Sequence, residues 1–402
     1  MKRIEFSHML GNTQENLGDF GLKEFEFTNQ IQVERTTLQW DEAWDRLLKV
    51  ALYQKGPDVS EVGTTWMGSL MEMQALRPFS SRELRMLGDK SQFVDASWET
   101  CSLPGDPQIW AAPWYFGLRL FLYRRDILAE AGVEASTAFD TAEHVMETLR
   151  ALKAYGIEYP LLISKQGGAL VHEAAMWIWE KGGAFRDPGG MRLRLNEPEA
   201  LAGFEEYLRL HPFVVPGEFD PSGVDRRFCR GEAPVALGSE ELYKWIADGS
   251  FPGGEVIPEL TENIGVAAVM HAPFIGGSNL VVWRHTLHSR ESHQLIRYLM
   301  SERFFRWAYR TLVVLPAQPA KVEALLREDS PEFYEVVAQT LEEGRTVPGF
   351  HRWASIEVRL NELLEQMWHD LAANPDLDIE KEVQERVTLL VDRLEQTTLA
   401  SW

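Results

Sequence analysis

Gly56-Pro57-Asp58-Val59-Ser60-Glu61-Val62-Gly63-Thr64-Thr65-Trp66 is the stretch whose reading decides the fold. Gly56 and Pro57 close a helix, Asp58–Val62 forms a short buried strand, and Gly63 frees the loop that follows. That loop presents two hydroxyls, Thr64 and Thr65, and the indole of Trp66. A strand that stops in polar and aromatic side chains at the carboxyl edge of a parallel sheet is where open α/β sheets bind ligands.

Upstream, Arg3–Met9 reads as a strand and Gln14–Thr28 as a helix with a weak pattern. Gln30–Thr37 is a second strand with Ile31 and Val33 on one face. Asp41 begins a helix in which Trp44, Leu47, Leu48, Ala51 and Leu52 repeat every three or four residues. Strands separated by helices imply βαβ units and a mainly parallel sheet. Downstream, the apolar run 111–123 reads as an extended crossing segment, followed by a short helix closed by Gly132. Asp140 and Glu143 form a capping box for a helix ending at Gly156, with Ala142, Val145, Leu149 and Leu152 inward. Asn263–Met270 reads as a buried strand, 289–309 as one helix, and Leu312–Leu315 as an apolar strand before Pro316. Residues 331–402 read as helical, with turns near 344–349 and 372–375. The expected architecture is α/β in two lobes joined by a hinge. Residues 1–115 plus 272–320 would form the first lobe and 116–271 plus 321–402 the second, with the C-terminal helices free to straddle both.

Composition narrows the function. A chain of 402 residues is too long for one ordinary core, and 45% hydrophobic with 25% charged residues is a soluble globular composition. The net charge of −21 argues against nucleic acid or anionic lipid as the main partner, since phosphate binding needs a basic surface. Fourteen tryptophans exceed ordinary core needs; indoles offer flat apolar faces with a polar handle. Cys101 and Cys229 give neither a disulfide framework nor a metal pair. No apolar run approaches the roughly 18 residues of a membrane span. Lys2 and Arg3 could open a signal peptide, but Glu5 and His8 interrupt the apolar stretch. The expected compartment is therefore extracytoplasmic if a leader has been removed, and cytoplasmic otherwise.

Catalytic patterns are weak. His172-Glu173-Ala174-Ala175-Met176 opens like a zinc-protease helix but lacks the second histidine. Gly276-Gly277-Ser278-Asn279-Leu280 fails the G-x-S-x-G elbow at its last position. His285, His288 and His293 read as a solvated turn. There is no P-loop lysine or dinucleotide fingerprint, so no cofactor or metal is expected. Trp44 and Trp177 read as core and Asp58 as a backbone partner. Arg119, inside an apolar run, must be paired with a ligand or with a carboxylate.

Taken in order, several segments carry a resemblance: the 56–66 stretch, Pro113-Trp114 with Tyr123-Arg124-Arg125-Asp126, and Trp177-Ile178-Trp179 with Gly182-Gly183. Gly231-Glu232-Ala233 before Val235–Gly238, and Gly276-Gly277-Ser278-Asn279-Leu280, complete the set. Over almost its whole length the chain resembles the family-1 extracellular solute-binding proteins, the sugar-type receptors of ABC importers. The resemblance implies a periplasmic-binding-protein-like fold, a sugar-like ligand held in a cleft, delivery to ABC permease transmembrane subunits, a monomer, and no chemical step. It places His8, Asn12, Gln39, Trp40, Gly63, Thr64 and Trp66 at first-lobe strand ends, and Trp114 and Arg119 on the crossing segment. His172, Trp179, Ser239 and Glu240 would face the ligand from the second lobe, with Gly277, Ser278 and Asn279 at the return crossing and Trp353 on a late turn. Glu240-Glu241 and Ser278-Asn279 stand where relatives carry aromatics, and Arg119 stands near where an acid is common. These departures permit an acidic sugar through Arg119 or a polar ligand through the two carboxylates. Two alternatives stay open: a cytoplasmic sugar sensor, and a transferase of the same fold using Cys101 or Cys229.

Overall fold

The structure is a computed structural model that describes residues 2–10, 22–187, 192–217, 219–347 and 352–399. The chain divides into two compact units. One comprises Met1–Gly117, Ile275–Tyr334 and Thr346–Ala354; the other comprises Leu118–Phe274, Glu335–Arg345 and Ser355–Trp402. In chain order the described strands are β1 (Lys2–His8), β2 (Ile31–Thr37), β3 (Val59–Gly63), β4 (Ala111–Leu118) and β5 (Leu120–Arg124). They continue as β6 (Leu161–Leu162), β7 (Val235–Gly238), β8 (Ile264–Ala267), β9 (Ile275–Val282) and β10 (Leu315–Pro316).

The first unit holds a six-stranded sheet of order β10-β4-β9-β3-β1-β2. Strand–helix alternation produces the parallel set β2-β1-β3, as the sequence predicts. β9 arrives much later in the chain and runs antiparallel to β3, pairing Gly63 with Ser278 and Val62 with Asn279. β10 likewise runs antiparallel to β4. The sheet is thus mixed, because only strands joined through a crossover helix are obliged to run parallel. Both of its faces are buried. Ile4, Phe6, Val59, Leu280 and Val282 pack on one side; Val62, Val281 and Trp283 pack on the other against Leu47, Met67 and Leu70. Unbroken apolar strands need helices on both faces.

The second unit holds a four-stranded sheet of order β6-β7-β5-β8. β6 and β7 are parallel, while β5 is antiparallel to both its neighbours. Leu120, Phe121, Leu122 and Tyr123 are all buried, and Phe121 stacks on Phe139 with centroids 4.6 Å apart.

Several local expectations need correction. The cap of helix Ala142–Tyr155 is Thr141, whose hydroxyl accepts from the His144 amide at 3.1 Å, so Asp140 lies one residue too early. The span 289–309 is two helices, Ser289–Leu299 and Glu302–Leu312, because the Ser301 hydroxyl caps the second at the Phe304 amide. That break frees two carbonyls. Leu299 accepts from the Trp114 indole at 3.0 Å, and Met300 accepts from the Lys321 ammonium at 2.6 Å. On helix Trp40–Tyr53 the buried stripe is Ala43, Leu47 and Ala51, one residue round from the expected face, leaving Leu52 exposed.

Gly277 is where β9 meets β4. Its φ is +117°, and a Cβ there would lie 2.3 Å from the Tyr115 carbonyl oxygen and 2.5 Å from Phe116 Cα. Backbone cannot swing aside as a side chain can, so Gly277→Ala should cost about 2–4 kcal/mol. Gly182→Ala, at φ +81° with open space around it, should lose only the backbone part, about 1–2 kcal/mol. Urea unfolding of the two variants would check the difference; equal losses would remove the close approach as its cause.

Candidate functional site

In the first unit the polar ends of β1 and β3 and the start of β9 lie side by side. After Gly63 the chain makes one tight turn, Thr64–Trp66, and enters helix Met67–Glu72. Thr64 and Thr65 are buried, whereas Trp66 is half-buried and Trp40 is 42% exposed. The ring centroids of Trp40 and Trp66 are 5.7 Å apart, and Trp44, one turn along the same helix, lies 5.9 Å from Trp66. A Cβ on Gly63 would sit 3.3 Å from the Trp66 ring and 3.4 Å from Trp40, so both indoles close over the glycine. Three tilted indoles make an aromatic face in which Trp40 is exposed, while Trp44 and Trp66 are partly buried against the hydrophobic core, as expected for Trp44.

The neighbouring groups are held more firmly. His8 is buried, stacks on Phe6 at 5.3 Å, and brings Nδ1 within 3.1 Å of the Leu10 carbonyl. Burial, with a smaller push from Arg35, lowers its pKa to about 4, so the ring is neutral near pH 7. Ser278 donates from Oγ to Glu61 at 2.8 Å. Glu61 is fully buried and also accepts from the Met9 and Leu10 amides and the Tyr115 hydroxyl. The sequence reading passed over Glu61 and Tyr115, although an acid in mid-strand between Val59 and Val62 was a signal. Asp58 accepts from the Glu5 amide at 2.9 Å and from Thr286. Gln39 is exposed just before helix Trp40–Tyr53, and Asn12 lies outside the described residues.

Four expected ligand residues belong to the interior instead. Trp114 is 1% exposed, stacked on Phe304, with its indole N–H spent on Leu299. Asn279 is fully buried and uses both ends of its amide, Nδ2 to Thr100 at 2.8 Å and Oδ1 near Cys101 Sγ at 3.7 Å. Strand alternation explains this: Ser278 points to Glu61, so Asn279 points to the opposite face. Gly277 serves strand packing, and Trp353 is fully buried at the start of helix Trp353–Ala373.

In the second unit Arg119 is half-buried among the carboxylates of Glu173, Asp225, Glu240 and Glu241. Its charge acts on these carboxylates through space, while its own Nε is buried with no hydrogen-bond partner among the described residues. Glu240 is 1% exposed and accepts from the Leu118 amide at 2.8 Å; burial, then the adjacent Glu241, raise its pKa. Glu173 is buried and accepts from Tyr207 at 3.1 Å. Burial pushes Glu173 up to about 8 and Asp225 up to about 7, against the pull of Arg119. Ser239 caps helix Glu240–Ala247 by accepting from the Leu242 amide at 3.2 Å. Apart from this cluster, His172 lies flat on Phe274 at 4.3 Å and meets Glu357 at 2.7 Å, with Trp179 parallel to Phe274 at 6.3 Å. Within the second unit, Phe274, Glu357, Glu173 and Asp225 reach His172 and Arg119 only through tertiary packing.

Two α/β units, the first with an aromatic face and a hydroxyl-lined row at its strand ends, define a binding protein built on a periplasmic-type fold. A model of the bacterial extracellular solute-binding proteins matches residues 22–331, and the chain belongs to that family. It is 20% identical, over 90% of its length and 83% of the relative's, to the diacetylchitobiose binding protein DasA of Streptomyces coelicolor. Among solved structures it is similar to a Thermotoga lettingae solute-binding protein bound with α-D-tagatose, with TM-score 0.78 and 17% identity over 97% of this chain and 100% of that one. The sugar-binding protein MalE of Xanthomonas citri matches equally well, with TM-score 0.78 and 18% identity over 99% of both chains.

The buried carboxylates set a pH dependence. Glu173 and Asp225 bind protons more tightly folded than unfolded. Their contribution is therefore complete below the unfolded carboxylate value and is lost as pH rises through about 7 and about 8. Stability should fall on going from pH 5 to pH 8.5, by on the order of 2–4 kcal/mol for Glu173 alone. Glu173→Gln, which mimics the protonated acid, should flatten that decline when urea midpoints are measured across the range. An unchanged slope would mean that Glu173 is ionised in the fold.

Proposed function

We propose that this chain is a receptor that captures a neutral sugar or sugar derivative outside the cytoplasm and hands it, as a monomer, to the transmembrane subunits of an ABC permease. The two compact units act as the lobes, and ligand favours their closed arrangement by touching both at once. The observation that carries this reading is the Trp40–Trp66–Trp44 face over Gly63, beside the hydroxyl groups of Thr64 and Ser278. A pyranose has an apolar face that stacks on indoles and a rim of hydroxyls that needs paired donors and acceptors. Relatives whose names and complexes specify diacetylchitobiose and tagatose support a carbohydrate ligand. The net charge of −21 disfavours a strongly anionic ligand, which favours a neutral one.

The transferase alternative is weakened by chemistry. Cys101 and Cys229 are both buried; burial pushes the Cys229 thiol up to about 12 and the Cys101 thiol higher still. The thiolate is the nucleophile, and neither residue offers one near pH 7.

Tryptophan fluorescence and melting temperature should be followed against neutral oligosaccharides, monosaccharides, polyols, uronic acids and thiamin analogues. A saturable shift with one neutral sugar class and no turnover is expected; consumption of a compound would overturn the receptor reading. Trp40→Ala is the informative variant, because that ring is the most exposed of the three. It should weaken binding by about 1–2 kcal/mol, roughly tenfold, with little change in melting temperature. Unchanged affinity would remove the aromatic face from the site.

A further inference from the structure

Glu61 lies in the middle of β3 with none of its surface open to solvent. Its two oxygens face different chemistry. Oε2 accepts two backbone amides, from Met9 at 2.6 Å and Leu10 at 2.8 Å. Oε1 faces two hydroxyls, the Tyr115 phenol and Ser278 Oγ, and Ser278 Oγ is also 3.2 Å from the phenol oxygen. These partners come from three segments: the turn after β1, then β4, then β9. No cation is among them. Among the described residues, the titratable groups nearest Glu61 on the strands around it are Tyr115 on β4 and His8 at the end of β1, the latter feeling Arg35. Lys2, Arg3 and Glu5 lie earlier on β1, Asp58 lies just before β3, and Cys101 lies against Asn279. Burial favours the protonated acid, while the four donors favour the carboxylate.

Because two N–H groups saturate Oε2, a proton on Glu61 has one place to go, which is Oε1, between the hydroxyls. Two arrangements follow. With Glu61 ionised, the Tyr115 O–H donates to Oε1 and the phenol oxygen can only accept from a further group. With Glu61 protonated, Oε1–H donates to the phenol oxygen and the Tyr115 O–H turns outward as a donor. Tyr115 is the most exposed member of the network, so its polarity is what a ligand would meet.

We infer that Glu61 is a positioning residue whose single proton decides whether Tyr115 accepts from a ligand hydroxyl or donates to a ligand carbonyl or ring oxygen. The ligand half of this statement rests on the receptor reading above; the polarity change does not. The test uses the intact chain without sugar, with tyrosines labelled at the phenolic carbon and followed by NMR from about pH 4.5 to about pH 9. Tyr115→Phe identifies the Tyr115 signal. In the wild type that signal should step at a pH below the tyrosine's own ionisation, and Glu61→Gln should abolish the step. Ser278→Ala, which removes one donor from the carboxylate, should move the step to higher pH, and it keeps the test decisive if the Glu61 variant does not fold. A flat wild-type signal, a step that survives Glu61→Gln, or an unmoved midpoint in Ser278→Ala overturns the inference. Since no sugar is added, a missing step counts against this role alone, and a sugar panel without a hit counts against the receptor reading alone.

Discussion

β9 lies between β3 and β4 in the sheet of the first unit, although more than a hundred and fifty residues of chain separate it from either in sequence. Everything at the strand ends depends on that insertion. Without β9, the Val59–Gly63 strand has one neighbour instead of two, Glu61 loses the Ser278 hydroxyl, and Ser60 loses the Trp283 indole that donates to it at 2.7 Å. The insertion is sterically exact enough to require glycine at 277, where two backbones approach more closely than a Cβ allows. A pairing of such long sequence separation bears its loop-closure entropy before it returns any contact, so the first unit is built for slow, late assembly.

Buried acids divide the molecule into two electrostatic regimes. In the first unit, among the described residues, Glu61 meets neutral donors, two amides and two hydroxyls, and no cation. In the second unit Glu173, Asp225, Glu240 and Glu241 all feel the charge of Arg119, and Asp225 also that of Arg226. Burial is the main cause that raises all four, as a buried charge without a partner is costlier than a neutral acid. Both arrangements limit net ionic charge in the interior, although among the described residues the Arg119 Nε stays without a hydrogen-bond partner. The overall charge of −21 therefore belongs mainly to the surface, where it disfavours polyanions and leaves neutral ligands unaffected.

What was legible in the residues followed from local chemistry. Thr64, Thr65 and Trp66 after a buried strand marked a ligand-type loop, and the strands around it fell within a residue or two of their observed limits. Helix ends were harder. Thr141 displaced Asp140 as a cap, and Ser301 split a helix whose apolar pattern ran straight through, because a hydroxyl competing for backbone amides leaves little mark on hydrophobic periodicity. Trp114 and Asn279 illustrate the same difficulty for the site. An indole or an amide has both an apolar body and a polar handle, and only its surroundings decide which is used.

The sequence by itself determined the α/β class, the strand–helix alternation of the first three strands, the loop at Gly63–Trp66 and the unsuitability of this surface for phosphate, because these depend on neighbours in the chain and on composition. The expected strand 312–315 is instead a helix end followed by Leu315–Pro316. Tertiary structure alone decided that β9 completes the first sheet antiparallel, that the charge of Arg119 acts on carboxylates from three helices, and that Glu61 joins Tyr115 to Ser278. Each of those pairs residues far apart in the chain, and no local pattern encodes which distant group will arrive beside a buried charge.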